Sequence, residues 1–207
     1  MLQTILTAIM LYTATAVDLL VILLIYFARV TDQRQIRDIY LGQYLGSLTL
    51  IAVSLFFAFV LHYVPEKWLL GLLGLIPIYF GIRVWFVADT GEERAESRLN
   101  NKGLSKLTET VAIVTIGSCG ADNLGLFVPY FVTLDHAQLA VTLLTFVVMI
   151  YLLVFSAQKI SCLPRIGEFI ERYNRWVISA IYIGLGLFII LDNGTITQLL
   201  RFLRTIN

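Results

Sequence analysis

Two aspartates stand among residues that can ligate a metal. Asp18 ends the string Thr13-Ala14-Thr15-Ala16-Val17-Asp18, and Asp122 lies in Gly117-Ser118-Cys119-Gly120-Ala121-Asp122-Asn123. Both strings fall inside long apolar stretches. A carboxylate near the bilayer centre costs about 2.5–3.5 kcal/mol on insertion scales, so an acid in that place points to function. Two carboxylates neutralise one divalent cation. The Asn123 amide carbonyl, the Cys119 sulfur and the hydroxyls of Thr13, Thr15 and Ser118 are further candidate ligands. Sulfur favours soft or borderline metals, whereas all-oxygen cages favour magnesium, calcium and manganese. A coordinating thiol also loses its proton and adds negative charge. The mixture therefore fits cadmium or zinc better than calcium.

The backbone around each acid is expected to differ. Gly117, Gly120 and Gly125 crowd around Asp122. Glycine weakens a helix by about 1 kcal/mol relative to alanine, so an unwound turn is expected there, its freed carbonyls serving a bound cation. The stretch around Asp18 has no glycine. Thr13 and Thr15 can instead bond back to the preceding turn and bend it.

The elements that must hold these residues are membrane spans. The chain has 207 residues, of which 58% are hydrophobic and 14% charged. A soluble domain carries about 25% charged residues. Six stretches have the roughly 20 apolar residues that a span needs: 2–27, 39–60, 68–87, 108–131, 139–158 and 176–191. The first has no basic region before it and no evident cleavage site, and is expected to be a span rather than a removable signal. Gly71, Gly74, Pro77 and Gly81 interrupt the third, which buried surroundings can tolerate. Pro77 and Pro129 read as kink residues, and His62 and His136 as interfacial polar groups. Gln43, Tyr79 and Tyr182 are expected to bond to neighbouring helices.

Basic residues set the orientation. The loops after spans one, three and five carry Arg29, Arg34 and Arg37, then Arg94, Arg98, Lys102 and Lys106, then Lys159, Arg165, Arg172 and Arg175. The opposite side carries only Lys67, Arg201 and Arg204. Basic loops stay cytoplasmic, so both termini are expected outside. Arg83, late in the third span, is expected to snorkel to the cytoplasmic side. No basic residue is expected at the depth of the aspartates. Trp68, Trp85 and Trp176 fall near span ends, as interfacial anchors do. The polar stretch 88–105 is expected to be a cytoplasmic linker with a short surface helix.

The spans repeat. Laying Asp18 on Asp122 also lays Tyr26-Phe27 on Tyr130-Phe131 and Thr15 on Cys119. A register one residue shorter lays Tyr79-Phe80-Gly81 on Tyr182-Ile183-Gly184. Three spans per half force the second half to enter from the opposite side. The expected fold is a single all-α membrane domain of six helices in a 3+3 inverted repeat: residues 1–87, a linker at 88–107, then 108–207. Sites in such folds lie near the midplane where the halves meet. Asp18 is about ten residues from the cytoplasmic end of its span, roughly 15 Å at helical rise, and Asp122 about fourteen, roughly 20 Å.

These residues resemble the CadD family of bacterial cadmium resistance transporters, in the LysE exporter superfamily. The resemblance rests on the fourth-span Gly-Ser-Cys-Gly-Ala-Asp-Asn, the first-span Thr-Ala-Thr-Ala-Val-Asp and the small six-span architecture. It implies efflux of cadmium, with zinc a second substrate, across a bacterial plasma membrane. The motif positions carried over are Thr13, Thr15, Asp18, Ser118, Cys119, Asp122 and Asn123.

Two carboxylates at low dielectric cannot both stay charged without cost, so the empty site is expected to take up protons and release them to the metal. That makes metal/proton antiport the expected cycle. No resident cofactor is expected, and no Gly-x-x-x-x-Gly-Lys motif for nucleotide appears. The expected partners are a divalent metal ion and the lipid bilayer, with no nucleic acid; a homodimer is left open. Three rivals are a manganese or calcium exporter using the same carboxylates, an amino-acid exporter, and a membrane thiol-disulfide carrier. The second wants a basic group at the midplane. The third needs Cys119 and Cys162 to meet.

Overall fold

The computed structural model of the chain describes residues 1–30, 32–62, 71–83, 86, 106–161, 179–191, 193 and 195. Among these residues there are six main helices and no strand. They are α1 (Leu2–Arg29), α2 (Gln33–His62), α3 (Leu75–Arg83), α4 (Leu107–Val132), α5 (His136–Ile160) and α6 (Ser179–Leu191). α1, α2, α4 and α5 are long and apolar enough to cross a membrane. α3 and α6 fall within the third and sixth expected spans. The tryptophan anchors, the stretch 88–105, Cys162 and the C-terminal tail lie outside the described residues, as does the His62 side chain.

Two boundaries differ from the hydropathy reading. α2 begins at Gln33, six residues before the apolar stretch, because Ile36 and Ile39 already pack on the core. α5 begins at His136 because Asp135 caps it. The Asp135 carboxylate accepts from the Gln138 amide N–H at 2.7 Å, and the Gln138 side chain accepts from the Asp135 N–H at 3.1 Å. That reciprocal pair satisfies donors that a helix start otherwise leaves open.

The most extensive helix pairs are α2 with α4 and α1 with α5. Glycines make the first pair close. A Cβ on Gly42 would lie 2.6 Å from the Thr108 carbonyl oxygen, and one on Gly46 would lie 2.7 Å from the Thr115 Cβ. Further along, Gly120 abuts Leu50. The register climbs together, so α2 and α4 run in the same direction. Small residues at helix crossings allow such backbone approach in a membrane.

α1 and α5 also run together. Tyr12 packs on Phe146 with ring centroids 5.4 Å apart. Deeper along both, Phe27 meets Tyr40 of α2, which in turn meets Tyr151 and donates a hydrogen bond to Gln158. Phe146 further joins Phe127 and Phe131 of α4. The aromatic centre thus ties α1, α4 and α5 around one ring. Phe56, Phe57, Phe59, Leu144 and Val148 lie on the exposed outer faces, where a bilayer replaces water.

α3 lies antiparallel to α6. Gly71 abuts Thr195, Gly74 abuts Gly186 and Ile190, and Gly81 abuts Ser179 and Tyr182. The third span is not one straight helix. A turn at Leu73–Gly74 precedes α3, whose first turn contains Pro77. A proline there removes a donor that would have had no helical partner.

Candidate functional site

The backbone of α4 is helical from Leu107 to Val132 without interruption. The unwound turn expected at Asp122 is therefore absent, and the break lies instead at Leu73–Gly74 ahead of α3. The glycines of α4 have other uses. Gly120 receives Leu50, and Gly125 receives the Phe80 ring and Ile76 of α3, which a Cβ would strike. Among the described residues, nothing lies within 4 Å of a would-be Cβ on Gly117. One carbonyl is nevertheless released: Pro129 sits inside α4 and cannot donate to the Gly125 oxygen.

Helical spacing gathers the second-half residues. Cys119, Asp122 and Asn123 share one side of α4, three and four residues apart. Cys119 is 4% exposed and Asn123 is 3% exposed. Two polar atoms beside them are buried and unsatisfied among the described residues: the Ser118 hydroxyl and the Asn123 side-chain carbonyl oxygen. A buried unsatisfied oxygen costs about 1–3 kcal/mol, and either oxygen could accept a donor or a cation.

The first-half residues are placed differently. Asp18 is half-buried on α1. The Thr15 hydroxyl is buried and donates to the Tyr12 carbonyl at 3.0 Å. Thr13 is exposed and donates to the Ile9 carbonyl at 2.7 Å. Both threonines therefore bond back to the preceding turn. Five residues along a helix place Thr13 well around the barrel from Asp18, while Thr15 is within one turn of it.

A further buried residue is Tyr182 of α6. Its side chain is 1% exposed, and its hydroxyl lies within electrostatic reach of Asp122, Asp18 and Cys119. Cys119 is also within reach of the Tyr12 hydroxyl, near Ser47. Ser47 belongs to a buried chain in which the Thr115 hydroxyl donates to the Gln43 carbonyl oxygen and the Gln43 amide donates to Ser47, both at 2.9 Å. Gln43 thus bonds to a neighbouring helix as expected, and Tyr182 takes a more central position than its sequence context signalled. Among the described residues, no three His, Cys, Asp or Glu side chains converge closely enough to hold a metal by themselves. Amide, hydroxyl or carbonyl oxygens would have to complete any such site.

Arg83 overturns one expectation. It does not snorkel away from the acids: its Nη1 lies 3.8 Å from the Asp122 Oδ1. The reason is the register of α3 on α4. Phe80 and Ile76 pack over Gly125, so moving one turn along each helix in opposite directions brings Arg83 to Asp122. Arg83 is the last residue of α3, and the antiparallel packing of α3 on α4 sets that end opposite Asp122. The guanidinium also sits 5.9 Å from the Phe80 ring centroid. A basic group therefore stands at the depth of an aspartate.

A model for the cadmium resistance transporter family matches residues 12–202. The chain belongs to that family. The match spans all six helices, and both aspartates fall within it. No curated protein and no solved structure matches the chain. Membership in the cadmium resistance transporter family establishes a multi-pass membrane protein of metal transport and resistance.

Proposed function

We propose that the chain exports a soft or borderline divalent metal, cadmium and also zinc, across a bacterial plasma membrane in exchange for protons. The single observation that carries this reading is the family match over residues 12–202. In support, Cys119, Asp122 and Asn123 lie on one side of α4, and the Ser118 and Asn123 side-chain oxygens are unsatisfied among the described residues. The ligands assigned are Asp18, Asp122, Cys119 and Asn123, with Ser118, Thr15 and the Gly125 carbonyl completing the shell. Thr13 is left out, because its hydroxyl is engaged on an exposed face.

The halves are read as inverted copies with both termini outside. Helix pairing supports this. A two-fold operation that exchanges α1 with α4 and α2 with α5 turns the α2–α4 interface into the α5–α1 interface, and these two are the most extensive. Alternating access then follows from rocking one half against the other around the shared site. Proton return after metal release balances charge in the empty carrier.

Arg83 supplies the midplane basic group that the amino-acid exporter reading lacked. That guanidinium faces a carboxylate of the protein, and the family is one of cadmium resistance, so metal transport is the reading kept. For the thiol-disulfide carrier, Cys119 is buried and Cys162 lies outside the described residues.

The test is flux into proteoliposomes with a pH-sensitive dye inside. Cadmium movement should be matched by opposite proton movement, and both should be lost in Asp18→Asn and Asp122→Asn. Flux that survives both substitutions removes the site. Flux of lysine or arginine in place of cadmium restores the rival.

A further inference from the structure

We propose that Arg83 is a built-in competitor for the metal: it holds Asp122 in the empty carrier and must leave it when a divalent ion binds. Arg83 is thereby a selectivity and release residue rather than a ligand. This rests on the metal-transport reading above, but it concerns a residue to which that reading gives no role.

Three observations carry it. First, the pair is positioned by packing, since Phe80 over Gly125 sets the helix register that delivers Arg83 to Asp122. Second, the pair is loose. At 3.8 Å it exceeds hydrogen-bond distance, and the Arg83 and Asp122 side chains are 41% and 31% exposed. A tight bidentate pair would resist exchange, and this contact is not one. Third, the guanidinium has a second seat nearby, because the Phe80 ring lies under it at 5.9 Å and an aromatic face holds a cation.

The physical consequence is a filter on valence. A metal bound at the Asp122 oxygens would lie within a few ångströms of the Arg83 charge. The two cations exclude one another from the same carboxylate. A doubly charged ion gains enough from Asp18 and Asp122 together to displace a single fixed charge. A monovalent ion such as sodium offers Asp122 no more charge than Arg83 already does. The same competition helps release: once the site opens outward, Arg83 returns to Asp122 and opposes rebinding.

Equilibrium binding of Cd2+ to the purified full-length protein in detergent, by calorimetry, combined with proteoliposome flux, tests this. Arg83→Gln should bind Cd2+ about tenfold more tightly, since a nearby repulsive charge is gone. Its maximal flux should fall severalfold as KM falls, and about 100 mM Na+ should now compete with Cd2+. Arg83→Lys, which keeps the charge, should stay within about threefold of the parent in both affinity and flux. Weaker or unchanged Cd2+ affinity in Arg83→Gln, or an Arg83→Lys variant that behaves like Arg83→Gln, overturns the inference. Should Arg83→Gln not fold, 15N-arginine-labelled parent protein provides the readout. The guanidinium resonance missing in Arg83→Lys should shift on adding Cd2+ and not Na+, and no shift overturns the inference. Parent protein that binds no Cd2+ at all sinks the metal-transport reading itself. Parent binding with unaltered affinity in Arg83→Gln sinks only the role of Arg83.

Discussion

The two aspartate-bearing helices are unequal. On α1, Asp18 follows alanine, valine and threonine in sequence, and the threonine hydroxyls each donate to the backbone of their own helix. On α4, Asp122 has a thiol and an amide on its own side, two unsatisfied oxygens beside it, a proline-released carbonyl one turn on and a guanidinium opposite. On the proposed reading α1 contributes one charge, whereas α4 supplies most of the ligands that select the ion.

The sharpest way to break this comparison is to neutralise each acid in turn. Asp122→Asn removes a ligand and leaves Arg83 facing the site with no carboxylate. Cadmium flux should fall at least about a hundredfold, beyond the roughly 10–100-fold that follows loss of a group merely supporting a ligand. Asp18→Asn leaves Asp122 and its neighbours in place and should cost less, about thirtyfold, read as a raised KM with measurable maximal flux. Equal losses in proteoliposome flux would mean that the two halves contribute alike.

The next effect is steric. Gly125→Val places a branched side chain against the Phe80 ring and Ile76. Overpacking costs about 1–3 kcal/mol, and pushing α3 outward separates Arg83 from Asp122. Flux should drop about tenfold with a lower melting temperature in detergent. Gly117→Ala is the control on the same helix. Among the described residues, nothing lies within 4 Å of its would-be Cβ, so flux should be unchanged and helix stability should rise by up to about 1 kcal/mol.

The unequal halves also mark where the sequence was readable. An acid inside an apolar stretch is a local signal, so Asp18 and Asp122 stood out unaided, as did the thiol and amide spaced around Asp122. Spans were legible for the same reason, and their ends were not: the capping box at Asp135 and the early start of α2 depend on hydrogen bonds and packing that hydropathy does not register. Glycine was ambiguous. Around Asp122 it looked like a licence to unwind, yet Gly120 and Gly125 serve close packing with partners distant in sequence. Arg83 was misplaced because hydropathy assigns it a depth within its own span, while its pairing with Asp122 depends on the register of α3 on α4. Tyr182 read only as a polar group expected to bond to a neighbouring helix, and nothing in the sequence tied it to Asp122, Asp18 and Cys119.

Sulfur chemistry separates the halves at a smaller scale. In the aligned repeat, Thr15 stands where the second half has Cys119. Cys119→Ser keeps the size and replaces the soft donor with a hard one. Its cadmium KM should rise about tenfold, equivalent to about 1.4 kcal/mol, while manganese flux is unchanged or improved. Competition of the two ions in one flux assay measures this directly. Thr15→Cys in that background restores a sulfur from the other helix. Recovery of cadmium preference would show that α1 can supply the donor and that the inequality is one of residue choice, whereas no recovery would tie it to the geometry of α4.

The smallest effect belongs to Thr13, and its smallness is informative. Thr13 and Thr15 look equivalent in the string that resembles the family motif, but one is exposed and the other buried. The Thr13 hydroxyl donates to the Ile9 carbonyl, an oxygen already used by the helix, so its loss leaves no group unsatisfied. Thr13→Val preserves shape and removes only that bond. Stability should change by no more than about 0.5 kcal/mol, as at other outward positions, and cadmium flux by less than about twofold. Thr15→Val removes an oxygen within one turn of Asp18 and should raise the cadmium KM about threefold. If Thr13→Val instead proves the more damaging, the metal approaches α1 from its exposed face, and the first half is a participant in selection rather than a scaffold.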